Sequence, residues 1–141
     1  MKREVKFRGF NKKNNKWLYG DLIHNRGLTL VCPVGIADPF ATWEDFVVEP
    51  DSVGQFTGLY DFEGKEVYEW DIINDGEFSQ IVSYSLNDAR FVLIRIEHFT
   101  NETERLMNMS CIYQERLKEY DKKVIGNIHD NPELMERKSN H

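Results

Sequence analysis

Apolar and polar residues alternate along several stretches in the first part of the chain. Alternation is clear in residues 5–10, where Val5 and Phe7 are followed by charged residues, and it returns in residues 17–23. A period of two places successive side chains on opposite faces of a β-strand. The six residues between these stretches are three Asn and three Lys, and Asn tolerates the backbone conformations of tight turns. The pattern therefore predicts a β-hairpin.

The same reasoning predicts six more strands, each closed by turn residues such as Gly, Pro, Asn and Asp. They cover residues 28–32, 46–48, 53–60, 67–73, 78–84 and 90–96. The first of these ends at Pro33, because proline lacks the N–H that a central strand needs. Residues 33–43 are then predicted to be a loop, and residues 90–96 are apolar enough to be a central strand.

The hydrophobic period changes after Asn101. Asn101 and Glu104 have the spacing of a capping box, in which two side chains satisfy the free backbone N–H groups of a helix start. Apolar residues then recur at steps of three or four positions, as in one helical stripe: Leu106, Met109, Tyr113, Leu117, Tyr120 and Val124. We predict one helix over roughly 102–120, with a possible break near Ser110.

The remaining elements complete a fold of the mainly β (α+β) class. A strand is predicted at 124–128, and a short C-terminal helix follows, with Asn131 as its cap and Pro132 in its first turn. We expect antiparallel hairpins that form small barrel-like or sandwich sheets. At 141 residues the chain fits a single domain, which could comprise two packed β subdomains of about 1–52 and 53–137.

A weak internal repeat accompanies this division. A shift of fifty positions places Phe10-Asn11 on Tyr60-Asp61 and Asp21-Leu22-Ile23 on Asp71-Ile72-Ile73. The match is short, so a true duplication and a coincidence of hairpin chemistry both remain open.

Composition places the chain among folded proteins. Hydrophobic residues make up 40% of it and aromatic residues 13%, which is too much for a disordered chain. Its sequence contains no run of roughly 20 apolar residues and does not start like a signal peptide, so we expect a soluble protein in the cytoplasm of a bacterial host. Cys32 and Cys111 have no paired spacing, and we expect both to be buried small hydrophobic residues.

Three blocks of sequence resemble motifs of one known family. The blocks are VGQFTGLYD (53–61) with GKEVYE (64–69) and Asp71-Ile72, KFRGF (6–10) leading to YGDL (19–22), and VIGNI (124–128) with NPEL (131–134). They resemble, in the expected order, the motifs of the YopX-like family that phages and prophages encode. The resemblance implies a β-rich fold, a phage or prophage origin and an essentially uncharacterised function, and it supplies no established catalytic residues.

Trp70 departs from the family pattern, which tends to have Gly between Glu69 and Asp71. A positive φ is free for glycine and costly for tryptophan. Trp70 therefore argues against a tight backbone geometry at this position.

Candidate chemistry along the chain has simpler structural explanations. Gly58 and Gly64-Lys65 lack the spacing and the Ser or Thr of a phosphate-binding loop, and a hairpin turn explains them better. Asp21 and Asp71 are expected to be structural carboxylates that accept backbone hydrogen bonds at turns. The histidines at 24, 98 and 129 have no short ligand spacing. We predict no catalytic residues, no metal site and no cofactor.

The charge is distributed unevenly. Residues 1–16 contain seven basic residues and one acidic residue, a net charge of +6, so the remaining 125 residues carry −12 of the total of −6. The first hairpin combines these charges with an aromatic residue, which suits a nucleic acid or an acidic partner; its residues are Lys6, Arg8, Lys12, Lys13, Lys16 and Trp17. Equally, the hairpin could lie against the protein's own acidic residues.

An acidic group surrounds the predicted strand 46–48. It consists of Glu44, Asp45, Glu49 and Asp51, and we expect these residues to be charges on a solvated strand edge.

The leading functional hypothesis is a non-enzymatic phage or prophage accessory protein. It would act through contacts with a host or phage protein and through self-association as a homo-oligomer, because a small β fold has edges that must be paired or covered. The alternative is a nucleic-acid-binding protein that uses the basic hairpin. A second alternative is an enzyme that acts on a nucleotide or small metabolite, and it predicts a concave pocket with converging polar groups.

Overall fold

A computed structural model describes residues 3–136 of the chain. Within that range the backbone forms ten strands and three short α-helices. The strands are β1 (Phe7–Asn11), β2 (Lys16–Asn25), β3 (Leu28–Cys32), β4 (Gly54–Tyr60), β5 (Glu66–Tyr68), β6 (Asp71–Asn74), β7 (Ser79–Ser85), β8 (Arg90–Arg95), β9 (Met109–Cys111) and β10 (Lys123–Asn127). The helices are α1 (Ile96–Phe99), α2 (Glu102–Met107) and α3 (Gln114–Glu119), with 3₁₀ turns at Trp43–Asp45, Pro50–Ser52 and Pro132–Met135.

The strands form two five-stranded antiparallel sheets. The first has the order β3-β2-β1-β4-β5 and the second has the order β10-β6-β7-β8-β9. Both orders are open, and neither sheet closes into a barrel within the described residues. The predicted mainly β class with antiparallel hairpins is confirmed, as is the short C-terminal helix, which is a 3₁₀ turn at Pro132–Met135.

The chain divides into two compact units, Met1–Gly58 and Leu59–His141. The predicted subdomains of about 1–52 and 53–137 stay a prediction. None of the helices within residues 3–136 combines the length and apolar character needed to span a bilayer.

The core of the first unit lies between strands β2 and β3 and the segment that connects β3 to β4. Leu18, Val31 and Val48 form the buried cluster. Gly9 faces this cluster, and a Cβ at Gly9 would lie 2.7 Å from the Val48 side chain. The glycine of the KFRGF block is therefore explained by close packing.

The second sheet is buried on both faces, which explains the continuous apolar runs in its central strands. Val82 and Leu93 belong to a cluster on one face, while Ile81, Val92 and Ile94 belong to a cluster on the other. The register pairs Val82 with Leu93 and Ile81 with Ile94, so each pair shares a face. This arrangement confirms the prediction that the 90–96 region is a central strand, although Ile96 already begins α1.

The prediction of one helix over 102–120 is wrong. The segment forms α2, then β9, then α3, and β9 pairs with β8 through Val92–Cys111, Leu93–Ser110 and Ile94–Met109. Pairing with a buried strand outweighed the helical spacing, and the predicted break near Ser110 is the middle of this strand. The N-cap is as predicted, since the Asn101 side chain accepts a hydrogen bond from the Glu104 N–H at 3.0 Å.

Two predicted strands also differ from the structure. Residues 46–48 make a single bridge, Val47 with Leu30, directly after the 3₁₀ turn at Trp43–Asp45. Residues 67–73 are not one strand either, because the chain turns at Trp70 between β5 and β6. Trp70 has φ +74°, so the tight geometry that this tryptophan argued against is present.

Candidate functional site

The turn of the basic hairpin lies against acidic residues of the same unit. Lys13 Nζ is 3.0 Å from Asp45 Oδ1 and 3.8 Å from Glu44 Oε2, and Lys12 Nζ is 3.4 Å from Glu49 Oε1. The hydrogen bond to Asp45 raises the pKa of Lys13, and the same bond lowers the pKa of Asp45. Of the alternatives left open by the sequence, the geometry favours a hairpin that contacts its own acidic residues. Three members of the acidic group, Glu44, Asp45 and Glu49, are thus ion-pair partners of the hairpin lysines and remain partly exposed.

Arg8 and Trp17 are packed together rather than presented to solvent. Arg8 is only 6% exposed, and its guanidinium lies 5.0 Å from the centre of the Trp17 ring. The Phe10 ring also contacts Trp17, edge to face, with 5.5 Å between the two ring centres. These contacts occupy the groups that a nucleic acid would need for stacking and for phosphate binding.

Lys6 and Lys16 complete the predicted basic surface. Lys6 Nζ lies 3.2 Å from Glu4 and 4.9 Å from the centre of the Phe56 ring. Lys16 is exposed at the start of β2, opposite Asn11. The nucleic-acid hypothesis stays a prediction, but most of its charges already have protein partners.

Asp61 is a buried anchor that the sequence placed only in a turn. Its Oδ1 accepts hydrogen bonds from the N–H groups of Glu63 and Lys65 at 2.9 and 2.8 Å, and its Oδ2 accepts one from Val124 at 2.9 Å. The carboxylate therefore closes the turn after β4 and attaches it to β10. The signal for this role was its position in the VGQFTGLYD block.

Asn11, fifty positions earlier, likewise fixes a hairpin turn through side-chain hydrogen bonds to the backbone. Its Oδ1 accepts from the Asn14 N–H at 2.8 Å, and its Nδ2 donates to the carbonyls of Glu44 and Val47 at 3.1 and 2.7 Å. An amide suits this position because the neighbouring segment offers carbonyls, whereas the neighbour of Asp61 offers an N–H. The two hairpins are thus alike in construction, and the question of duplication remains open.

Asp71 and Asp21 have different surroundings. Asp71 is buried at the start of β6, and its Oδ2 accepts a hydrogen bond from the Tyr68 N–H at 2.7 Å. Asp21 is exposed within β2, opposite Cys32. Asp71 therefore makes the kind of local backbone hydrogen bond that the sequence predicts for both Asp21 and Asp71.

The closing block holds its own loop together. Asn127 Oδ1 accepts hydrogen bonds from the N–H groups of His129 and Asp130 at 3.0 and 2.9 Å, while Asn131 Oδ1 accepts from the Asn127 N–H at 3.2 Å. A Cβ at Gly126 would lie 2.3 Å from that Asn131 oxygen, so a side chain there would push Asn131 away. Like Asp61, these motif residues use their polar groups to fix the backbone.

The cysteines and histidines are dispersed. Cys32 is buried as predicted, but Cys111 is exposed, because it lies on the edge strand β9 beside the Arg90 guanidinium. Among residues 3–136, no three His, Cys, Asp or Glu side chains are grouped as metal ligands.

The segment after β3, which we name the 33–45 connection, includes residues 33–43, for which the sequence predicts a loop. It carries exposed large apolar side chains: Val34, Ile36, Phe40 and Trp43. An open pocket of about 240 Å³ lies at its end, lined by Lys13 and residues 41–45. The charged lining residues of this pocket are the ion-paired Lys13, Glu44 and Asp45. The signal in the sequence was the presence of large apolar residues between Pro33 and Pro39, where a solvated loop would be polar.

Comparison with known proteins gives a family and a fold. The model of the family described as YopX protein matches residues 6–136. The crystal structure of protein EF1440 from Enterococcus faecalis is similar over 96% of this chain and 100% of that chain, with a TM-score of 0.56 and 22% identity. No curated protein matches the chain.

Proposed function

The chain belongs to the YopX family, and we propose that it is a phage or prophage accessory protein that works through protein contacts, including contacts between copies of itself, in the cytoplasm of a bacterial host. One observation carries this proposal. The 33–45 connection exposes four large apolar side chains within ten positions, and Val34 is 98% exposed. Clustered exposed apolar residues are characteristic of protein contact sites, whereas single ones are ordinary.

The 33–45 connection is also fixed at both ends. Before it, the Val31 N–H donates to the Phe46 carbonyl at 3.0 Å, and after it, the Val48 N–H donates to the Thr29 carbonyl at 2.9 Å. Pro33 and Pro39 restrict the backbone within it. A partner would therefore meet a preorganised surface, which lowers the entropy cost of binding.

The polar residues of the motif blocks support a role without catalysis. Asp61, Asp71, Asn127 and Asn131 all accept hydrogen bonds from backbone N–H groups. Side chains engaged in this way maintain the fold and are poorly placed to react with a substrate. The blocks that define the family thus account for its fold, and contacts would be made by other surfaces.

Sedimentation and light scattering, over low to high micromolar concentration, test the proposal. We expect the wild type to associate reversibly and the double variant Val34→Ser with Ile36→Ser to shift toward monomer. Leu86→Ser is the matched control, because Leu86 is 90% exposed but lies in the turn between β7 and β8. A wild type that stays monomeric throughout, or a control that dissociates as much as the double variant, would contradict self-association through the connection.

A further inference from the structure

The outer face of α3 presents an arginine between two tyrosines. Tyr113, Arg116 and Tyr120 are three and four positions apart, which places them on one side of the helix. The guanidinium carbon lies 5.5 Å from the centre of the Tyr113 ring and 5.6 Å from that of Tyr120. Both tyrosines are exposed. We name these three residues the Arg116 cradle.

The guanidinium of the cradle has hydrogen-bonding capacity to spare. Its Nε donates to the Tyr113 hydroxyl at 2.6 Å, which orients the side chain. No carboxylate within residues 3–136 forms an ion pair with it. The two Nη groups of an arginine can bind one carboxylate in a bidentate manner. Tyr and Arg are, with Trp, the residue types enriched among the hot spots of protein interfaces.

A carboxylate with matching surroundings occurs in the 33–45 connection. Asp38 is exposed between Ile36 and Phe40, and its Oδ1 accepts a hydrogen bond from the Phe40 N–H at 3.0 Å. In the described part of the chain Asp38 forms no ion pair, whereas Glu44 and Asp45 are engaged by Lys13. Residues 33–51 as a whole contain five acidic residues and no basic one.

We propose that the Arg116 cradle of one copy binds Asp38 of a second copy, with apolar side chains of the 33–45 connection covering the two tyrosines. This inference rests on the proposed self-association and names the surface that receives the connection. The contact joins two different patches, so it is made twice in a twofold dimer or once per neighbour in a ring or open chain.

A nucleic acid is the less suitable occupant of the cradle. Its phosphates would require a broadly positive surface. Helix α3 and the residue that follows Tyr120 carry Glu115, Glu119 and Asp121 beside Arg116 and Lys118. A single carboxylate flanked by apolar side chains fits such a mixed surface better than a polyanion does.

Charge reversal tests the pairing. Arg116→Asp and Asp38→Arg should each weaken association by about 30-fold, the loss typical of a truncated interface hot spot. Both changes on one chain should restore most of the affinity, because the ion pair is re-formed with its signs exchanged. Lys118→Asp is the matched control, since it makes the same charge change on an exposed position of the same helix outside the cradle.

Mixing experiments test whether the cradle and the connection bind each other. Arg116→Ala removes the cradle and Val34→Ser with Ile36→Ser weakens the connection, so neither protein should associate alone. Their mixture should form a heterodimer that grows no further, because one intact cradle meets one intact connection. Absence of this heterodimer, in a mixture of variants that fold, would overturn the proposed pairing of the cradle with the connection.

The outcomes separate this inference from the proposed function. A monomeric wild type overturns both this inference and self-association through the connection. A wild type that associates, with Arg116→Asp and Lys118→Asp both behaving like it, overturns the cradle alone and leaves the connection in place. Unchanged association combined with weaker retention of a single-stranded oligonucleotide by Arg116→Asp would assign the cradle to nucleic acid and overturn the proposal.

Discussion

Trp70 gives a sharp test of the backbone geometry, because its residue type and its conformation disagree. With φ +74° it lies in the region where side chains with a Cβ are strained. Two backbone hydrogen bonds hold it there: its N–H donates to the Val82 carbonyl at 2.8 Å, and its carbonyl accepts from the Ile128 N–H at 3.1 Å. These bonds do not involve the side chain, so they remain when the side chain is changed.

Comparing Trp70→Ala with Trp70→Gly isolates the strain. Both variants lose the packing of the indole against the cluster of Ile81 and Ile94 and its edge-to-face contact with Phe99 at 6.4 Å. We expect that loss to cost about 2–3 kcal/mol, below the roughly 3–5 kcal/mol of a fully buried aromatic residue, because Trp70 is partly buried.

The two variants differ in the backbone. Alanine keeps the left-handed penalty of about 1–2 kcal/mol, whereas glycine avoids it but is about 0.5–1 kcal/mol worse than alanine through its unfolded-state entropy. Trp70→Gly should therefore be more stable than Trp70→Ala by roughly 0.5–1 kcal/mol, the reverse of the usual order.

Equilibrium unfolding in urea, followed by far-UV circular dichroism, measures the difference. Phe99→Ala and Phe99→Gly are the matched control, because Phe99 belongs to the same aromatic pair and lies in α1 with negative φ. In the control, alanine should be the more stable variant. If alanine were also more stable at position 70, by the same margin as at position 99, the strain argument would be refuted.

Three further changes test other contacts. Asp61→Asn should lower the free energy of unfolding in urea by about 2 kcal/mol, because the amide presents an N–H group to the Val124 N–H in place of a charged acceptor. The control Asp21→Asn, at an exposed strand position, should change that free energy by less than about 0.5 kcal/mol. Equal effects of the two substitutions would contradict the anchor role of Asp61. Gly126→Ala should destabilise the closing block, and we expect weaker protection from amide hydrogen exchange in residues 126–131 alone. Unchanged protection would count against the close contact between position 126 and the Asn131 side chain. Burial lowers the pKa of Lys122, so at alkaline pH the unfolded chain binds more protons than the folded chain. The free energy of unfolding of the wild type should therefore rise as the pH increases toward 10.5, and Lys122→Met should lack this rise. Parallel stability curves for the two proteins would contradict the lowered pKa.

Much of the fold follows from local patterns. Alternation and turn residues place the first hairpin and the central strands, because strand period and turn chemistry are properties of neighbouring residues. The prediction of one helix over 102–120 failed for a physical reason. Its apolar residues have helical spacing, but Leu117 is buried while Leu106, Tyr113 and Tyr120 are exposed. The stripe therefore did not define a packed face, and pairing of β9 with β8 decided the structure.

The candidate surfaces depended on contacts between distant positions, and the sequence could reveal them only in part. A basic hairpin was evident from its charges, but the acidic partners of Lys13 lie more than thirty positions away. The burial of Arg8 was likewise hidden, because period two alone does not say which face is covered. In the 33–45 connection, Pro33 and Pro39 predict a loop, and that prediction took no account of the large apolar residues beside them.

Asn11, directly after the KFRGF block, and Asp61, within the VGQFTGLYD block, both serve the fold. Each is buried, each closes a hairpin turn and each attaches that turn to a neighbouring segment through hydrogen bonds. The choice between amide and carboxylate follows from whether the neighbour offers a carbonyl or an N–H, so the same task selects two residue types. The backbone hydrogen bonds of Asp61 are enough to explain why a motif residue stands there. The two surfaces that we propose for contacts, the 33–45 connection and the Arg116 cradle, lie outside the motif blocks.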